Sequence, residues 1–236
     1  MKRALIATLA CYMACFASAA SPVSPNSILI DRKGRRMSVV DESGKTLVTC
    51  PIGVGRGPLK AKVDMQDSIT PVGRFVIDVV LTADANLNEI DEHQKISISK
   101  NAKFAPFVKD GNGLARVFET MNFQDFNRDG KSDHAYGDVF LGLDGKATGP
   151  KLIAAGSAAR WYSIALHCTP NEAKAIGAAT SEGCIHVPKS VLKSLLAEHK
   201  IGVGTPVYIN DGMKSSFDVK RKSSAADNKE SVRMRN

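Results

Sequence analysis

From Ser27 onward the apolar side chains fall into short runs parted by polar clusters, a strand-like pattern. Ile28 to Asp31, Arg36 to Val40 and Lys45 to Ile52 are β-prone. Lys33-Gly34 and Asp41-Glu42-Ser43-Gly44 between them supply turn chemistry, so the segment predicts a β-meander. Arg74 to Leu81, Ser163 to His167 and Pro206 to Ile209 read as further strands. Helical signal comes late. Thr169-Pro170-Asn171-Glu172 has a cap residue, a proline at the first helical position and Glu three residues after the cap, a capping box for a short helix that Gly177 closes. Pro188 to Lys200 sets Val191, Leu192, Leu195 and Leu196 on one face, with Gly202 as the stop. The pattern therefore predicts a mainly β fold with one or two short helices. Residues 82–150 are polar and interrupted by Gly111-Asn112-Gly113 and Asp144-Gly145, an excursion from the sheet rather than a domain.

The two ends differ from this pattern. Lys2 and Arg3, an apolar run from Ala4 to Phe16 and then small residues have the order of a secretory signal peptide over residues 1–20. Export to the periplasm or cell wall is the expectation. Residues 21–26 read as a linker, and residues 211–236, rich in Lys, Arg, Ser and Asp, as a disordered basic tail.

Of 236 residues, 43% are hydrophobic and 24% charged, ordinary for a globular chain. The net charge is +8, which suits an anionic envelope partner. No aromatic residues interleave with the basic ones to stack bases, so nucleic-acid binding is not supported. Two of the five cysteines fall in the signal segment; Cys50, Cys168 and Cys184 remain. An odd count in an exported chain leaves at least one thiol free or paired between chains.

Cys184 follows Gly183, which permits a tight backbone whose N–H groups can converge on an oxyanion. His167 ends a predicted strand, and the 16 positions between it and Cys184 suffice for a loop and short helix that return the chain beside that strand. A nucleophilic thiol needs such a base. A zinc site from His167, Cys168, Cys184 and His186 is disfavoured, because neighbours on a strand point to opposite faces. A disulfide from Cys168 to Cys50 or Cys184 is an alternative, and a Cys168–Cys184 bond would block the nucleophile. Asp125, Asn127, Asp129 and Asp133 alternate around Gly130 as in a structural calcium loop, with a polar turn as the competing reading; Tyr136 stands where an EF-hand has Glu. His93, His134 and His199 read as surface residues.

Residues 163–187, with His at a strand end and then Thr180-Ser181-Glu182-Gly183-Cys184-Ile185, resemble the signature of the L,D-transpeptidase catalytic domain, the YkuD-type fold. Cys50-Pro-Ile-Gly-Val-Gly55, Thr70-Pro-Val-Gly-Arg-Phe75, Tyr136-Gly-Asp-Val-Phe-Leu141 and Gly204-Thr-Pro-Val-Tyr-Ile209 are similar to other elements of that family. The resemblance covers residues 27–210 as one catalytic domain, with 82–135 as a polar insertion. It implies β-sandwich or barrel-like sheets and an acyl-enzyme on Cys184, formed from a tetrapeptide stem of peptidoglycan. Transfer to an amine would give a cross-link or attach an envelope protein. Transfer to water would make an L,D-carboxypeptidase, and a non-catalytic wall-binding protein would keep only the fold. Carried over, His167 is the base, the Cys168 carbonyl orients it, and Gly183 and Cys184 supply oxyanion donors; no cofactor is implied. Ser181, Glu182, His186 and Tyr136 are the candidate substrate contacts. Glu182 and His186 depart from the family pattern, which commonly has His or Ser before Gly-Cys and Arg or Asn two residues after the Cys.

Overall fold

The computed structural model describes residues 25–62, 66–82, 113–123, 125, 128–144 and 164–212. The expected signal segment lies outside the described residues, as do all but the first two residues of the expected tail.

The strands in chain order are β1 Ser27–Asp31, β2 Arg36–Val40, β3 Thr46–Pro51, β4 Val54–Gly55, β5 Gly73–Leu81, β6 Phe140–Asp144, β7 Ala165–His167, β8 Ala179–Ser181, β9 Ile185–His186 and β10 Pro206–Asn210. Three described helices join them: α1 Gly113–Asn122, α2 Glu172–Ala175 and α3 Lys189–Ala197. Eight strands form one curled sheet in the order β3-β2-β1-β10-β5-β6-β7-β9, while β4 and β8 pair separately. This is the mainly β architecture that the hydrophobic pattern predicts.

The meander β1-β2-β3 is antiparallel, and β10 returns beside β1 in parallel, Ile28 opposite Val207 and Ile30 opposite Ile209. Strand β10 alternates half-buried and buried residues, so one of its faces meets the core. Ile28, Ile30, Met37, Val39, Ile77, Leu141, Leu166, Ile185 and Val207 form that core, and α3 adds Leu192 and Leu195. Each fully buried Ile here contributes about 2 kcal/mol relative to exposure. Strand β3 is the sheet's outer edge and leaves Thr46, Leu47 and Thr49 exposed.

At the opposite edge, β7 and β9 run parallel, with Leu166 opposite Ile185 and His167 opposite His186. Parallel neighbours need a crossover, and residues 168–184 provide it through α2 and β8. That register puts Cys184, one residue before β9, opposite Ala165 at the start of β7, two residues along the strand from His167 and on the same face.

Three local expectations are corrected. The capping box at Thr169 does not form: Asn171 is the N-cap of α2, without a side-chain cap bond. The Glu172 carboxylate accepts the Lys189 N–H instead, serving the first turn of α3. Helix α3 ends at Ala197, and His199 takes the left-handed turn (φ +51) expected nearer Gly202. Within 82–135, α1 buries Val117, Phe118 and Met121 and packs on β5, so this segment contributes apolar side chains as well as polar ones.

Candidate active site

His167 is buried at the end of β7, and its Nδ1 lies 2.6 Å from the Cys168 carbonyl oxygen. A carbonyl only accepts, so Nδ1 carries the proton and Nε2 keeps its lone pair. Three rings box the imidazole: Tyr136 edge-on with centroids 5.1 Å apart, Phe140 stacked at 6.3 Å and His186 edge-on at 4.9 Å. Burial, then the neighbouring His186, press the His167 pKa down to about 3, against the pull of the Cys168 carbonyl. At neutral pH it is an uncharged acceptor.

Cys184 is half-buried. Burial pushes its thiol up to about 11, while the Ala165 N–H and the Lys62 charge act the other way. The pair at rest is thus a thiol and a neutral imidazole, not a thiolate and an imidazolium. Tyr136 connects them: its ring meets His167, and its hydroxyl is pushed up by burial first and by Cys184 second.

The loop carrying Cys184 is fixed by its own groups. The buried Ser181 hydroxyl donates to the Cys184 carbonyl at 2.6 Å and accepts the Gly183 N–H at 3.1 Å. Ser181, expected to meet substrate, therefore spends its hydroxyl inside the loop, and the Gly183 N–H, expected to face an oxyanion, is turned onto that hydroxyl. Gly183 has φ +125, and a Cβ there would stand 3.0 Å from the Ile69 carbonyl oxygen. Only glycine meets both conditions without strain.

Glu182 is exposed and reaches neither the thiol nor the imidazole; Arg56 and Ser68 hold its carboxylate. Its pKa is lowered first by the Ser68 hydroxyl. His186, opposite His167 on β9, has a buried Nδ1 without a hydrogen-bond partner. A buried nitrogen left without a partner is uncommon in a folded interior.

Two contributors escaped the sequence reading. Asn122, at the end of α1, accepts the Tyr136 N–H at 2.9 Å and donates to the Gly137 carbonyl at 2.7 Å. Lys62, its side chain buried and paired with Asp67 at 2.6 Å, places a cation where Cys184 feels it. Neither lies in a local motif, since each acts across a loop.

Cys50, Cys168 and Cys184 are all unpaired, so neither disulfide is formed. Among the described residues no group of three or more His, Cys, Asp or Glu converges on a metal position. In the suspected calcium loop, Asp125 accepts the N–H groups of Asp129 and Gly130, and Asp129 that of Lys131; Asn127 lies outside the described residues. His134 and His199 are exposed, as expected, and His93 is outside the described residues. A cleft of about 770 Å3 opens behind the site, walled by Asp138, Asn171, Glu172, Lys189 and Lys193. Cys184 does not line it, and Asp138 already pairs with both lysines.

A curled β-sheet with a glycine-flanked cysteine and an oriented histidine at one edge defines the class. The L,D-transpeptidase catalytic domain model matches residues 25–209, and the chain belongs to that family. No curated protein matches. Among solved structures, it is similar to Bd1075 of Bdellovibrio bacteriovorus at 19% identity and TM-score 0.46, covering 90% of this chain and 58% of that one. The catalytic domain of the E. faecium L,D-transpeptidase gives 17% and 0.39, covering 80% and 99%. The helical cell shape determining protein Pgp2 of Campylobacter jejuni gives 14% and 0.43, covering 82% and 50%. The chain thus spans little more than half of the Bdellovibrio chain and half of the Campylobacter one.

Proposed function

We propose that this chain is an exported peptidoglycan L,D-transpeptidase that forms an acyl-enzyme on Cys184. The observation that carries the reading is the oriented, neutral His167 on β7, with Cys184 across from Ala165 on the same face of the neighbouring β9 segment. Cys184 Sγ attacks the carbonyl between the L- and D-centres of a tetrapeptide stem, and its proton passes to His167 Nε2. A neutral imidazole next to a neutral thiol suits this general-base step. The tetrahedral oxyanion is met by the Cys184 N–H, because the Gly183 N–H is held by Ser181. The imidazolium then protonates the departing D-residue, and a thioester remains. An amine next attacks the thioester with His167 again as base, releasing the thiol and forming a cross-link or an envelope-protein attachment. Tyr136 and His186, which flank the imidazole, face the stem peptide. No step requires a cofactor.

The test is incubation of the protein lacking residues 1–20 with disaccharide tetrapeptide and a mass-spectrometric reading of products, beside Cys184→Ala. Cross-linked dimers lost in Cys184→Ala support transfer. Tripeptide alone would make the protein an L,D-carboxypeptidase. Absence of any Cys184-dependent product would leave a non-catalytic wall-binding protein.

A further inference from the structure

Glu182 places a carboxylate two residues before the nucleophile, where its charge would oppose thiolate formation if it swung inward. It is held elsewhere. Arg56 pairs with Oε1, and the Ser68 hydroxyl donates to Oε2 at 2.6 Å. Both partners belong to the chain between β4 and β5, which grips the nucleophile loop at further points. The Arg56 N–H donates to the Ser181 carbonyl at 2.9 Å, and Thr70 Oγ1 donates to the Gly183 carbonyl at 2.9 Å.

An exposed ion pair alone contributes little to stability, and the Arg56 and Glu182 side chains are 57% and 67% exposed. Ser68 is different. It is buried and sits at φ +54, a conformation that residues with a side chain seldom adopt. Such backbone persists only where its surroundings hold it, and it gathers at functional sites. Here the Gly57 N–H bonds the Ser68 carbonyl at 2.9 Å, and the Asp67 carboxylate caps the Ile69 N–H at 2.9 Å. The strained turn aims the Ser68 hydroxyl at Glu182.

We propose that Arg56 and Ser68 form a positioning clamp that keeps the Glu182 carboxylate off the Cys184 thiol and fixes the nucleophile loop. The clamp rests on the reading of Cys184 as nucleophile. The groups that act on the thiol are Tyr136, the Ala165 N–H, and Lys62 with its partner Asp67; His167, the proposed base, meets the rings of Tyr136 and His186. A released Glu182 would add a negative charge to this set.

The experiment follows alkylation of Cys184 by iodoacetamide against pH, read by mass spectrometry at that residue. It compares the unaltered protein, Arg56→Ala/Ser68→Gly, and the same pair with Glu182→Gln. Glycine is chosen at 68 because it adopts positive φ without strain. Loss of the clamp is expected to raise the midpoint of the rate–pH profile by about half a unit, a roughly threefold slower reaction at fixed pH. Adding Glu182→Gln is expected to return the midpoint. A clamp with only a structural role would leave the midpoint in place, or leave it raised after Glu182→Gln, and either result overturns the proposal. Near-ultraviolet circular dichroism checks the fold of each variant. Should Arg56→Ala/Ser68→Gly fail to fold, Arg56→Ala alone, with and without Glu182→Gln, gives the same comparison with a smaller shift. Alkylation reports the thiol whether or not peptidoglycan is turned over, so failure of the stem-peptide assay leaves this test intact.

Discussion

The Asn122 side chain holds the Tyr136–Gly137 turn from both sides, accepting the Tyr136 N–H and donating to the Gly137 carbonyl. Through Tyr136 this contact reaches the edge of the His167 ring. Asn122 is itself tied down, since its own carbonyl accepts the Ser132 hydroxyl at 2.7 Å.

Asn122→Ala removes both side-chain bonds and strands a part-buried N–H and carbonyl. The expected loss is about 2 kcal/mol of stability, measured by denaturant unfolding. Under the proposed function, a fall in kcat should accompany it, because Tyr136 is no longer fixed against the imidazole. Asn122→Asp keeps the acceptor for the Tyr136 N–H and loses the donor to Gly137, so it should fall between. Equal stability of all three proteins would show that the turn holds itself.

Gly137 is the other half of that turn. It has φ +60, and a Cβ there would lie 2.6 Å from Cys168 Cβ. Backbone strain and a clash with the residue that orients His167 then act together. Gly137→Ala is expected to lower stability by about 3 kcal/mol and to shift the imidazole resonances of His167 in NMR spectra. An unshifted His167 signal would disconnect the turn from the base.

Much of this site was legible because its chemistry is local in sequence. His167 at a strand end, Cys168 after it and Gly183-Cys184 before β9 all lie within one short stretch, and the family frame reads from contiguous motifs. What escaped depends on contacts between distant segments. Asn122 has no motif; its helix announces itself only by Val117, Phe118 and Met121 within a polar stretch. Glu172 has the spacing of a cap for its own helix, yet its carboxylate caps α3, a choice made by the crossover that brings Lys189 near. Glu182 reads from the sequence as a candidate substrate contact, and nothing beside it in sequence points to Arg56 or Ser68.

Thr70 shows the same long-range logic in the core of the site. Its buried hydroxyl accepts the Gly55 N–H at 2.8 Å and donates to the Gly183 carbonyl at 2.9 Å. Thr70→Val keeps the shape and leaves both backbone groups buried without that partner, an expected cost of about 3 kcal/mol. Thr70→Ser retains the hydroxyl and should recover most of it. Thermal unfolding of the two variants decides the matter: similar melting temperatures would mean that the hydroxyl does not join the β4 and nucleophile loops.

Acid should destabilise the protein through His167, and the sign follows from its burial. In the unfolded chain its pKa is near 6.5, while in the folded protein it is pressed down to about 3. Between these values the unfolded state binds a proton that the folded state refuses, so stability rises with pH across that window and is lost as pH falls through it. From pH 6.5 to pH 5 the contribution of His167 alone is a loss of about 2 kcal/mol. The His186 pKa, lowered by burial, acts in the same direction. His167→Gln keeps an N–H that can reach the Cys168 carbonyl but cannot titrate. Its stability should therefore fall less steeply over this range, as read from urea unfolding at half-unit steps of pH. Parallel slopes for the two proteins would show that His167 takes up its proton without leaving the folded state.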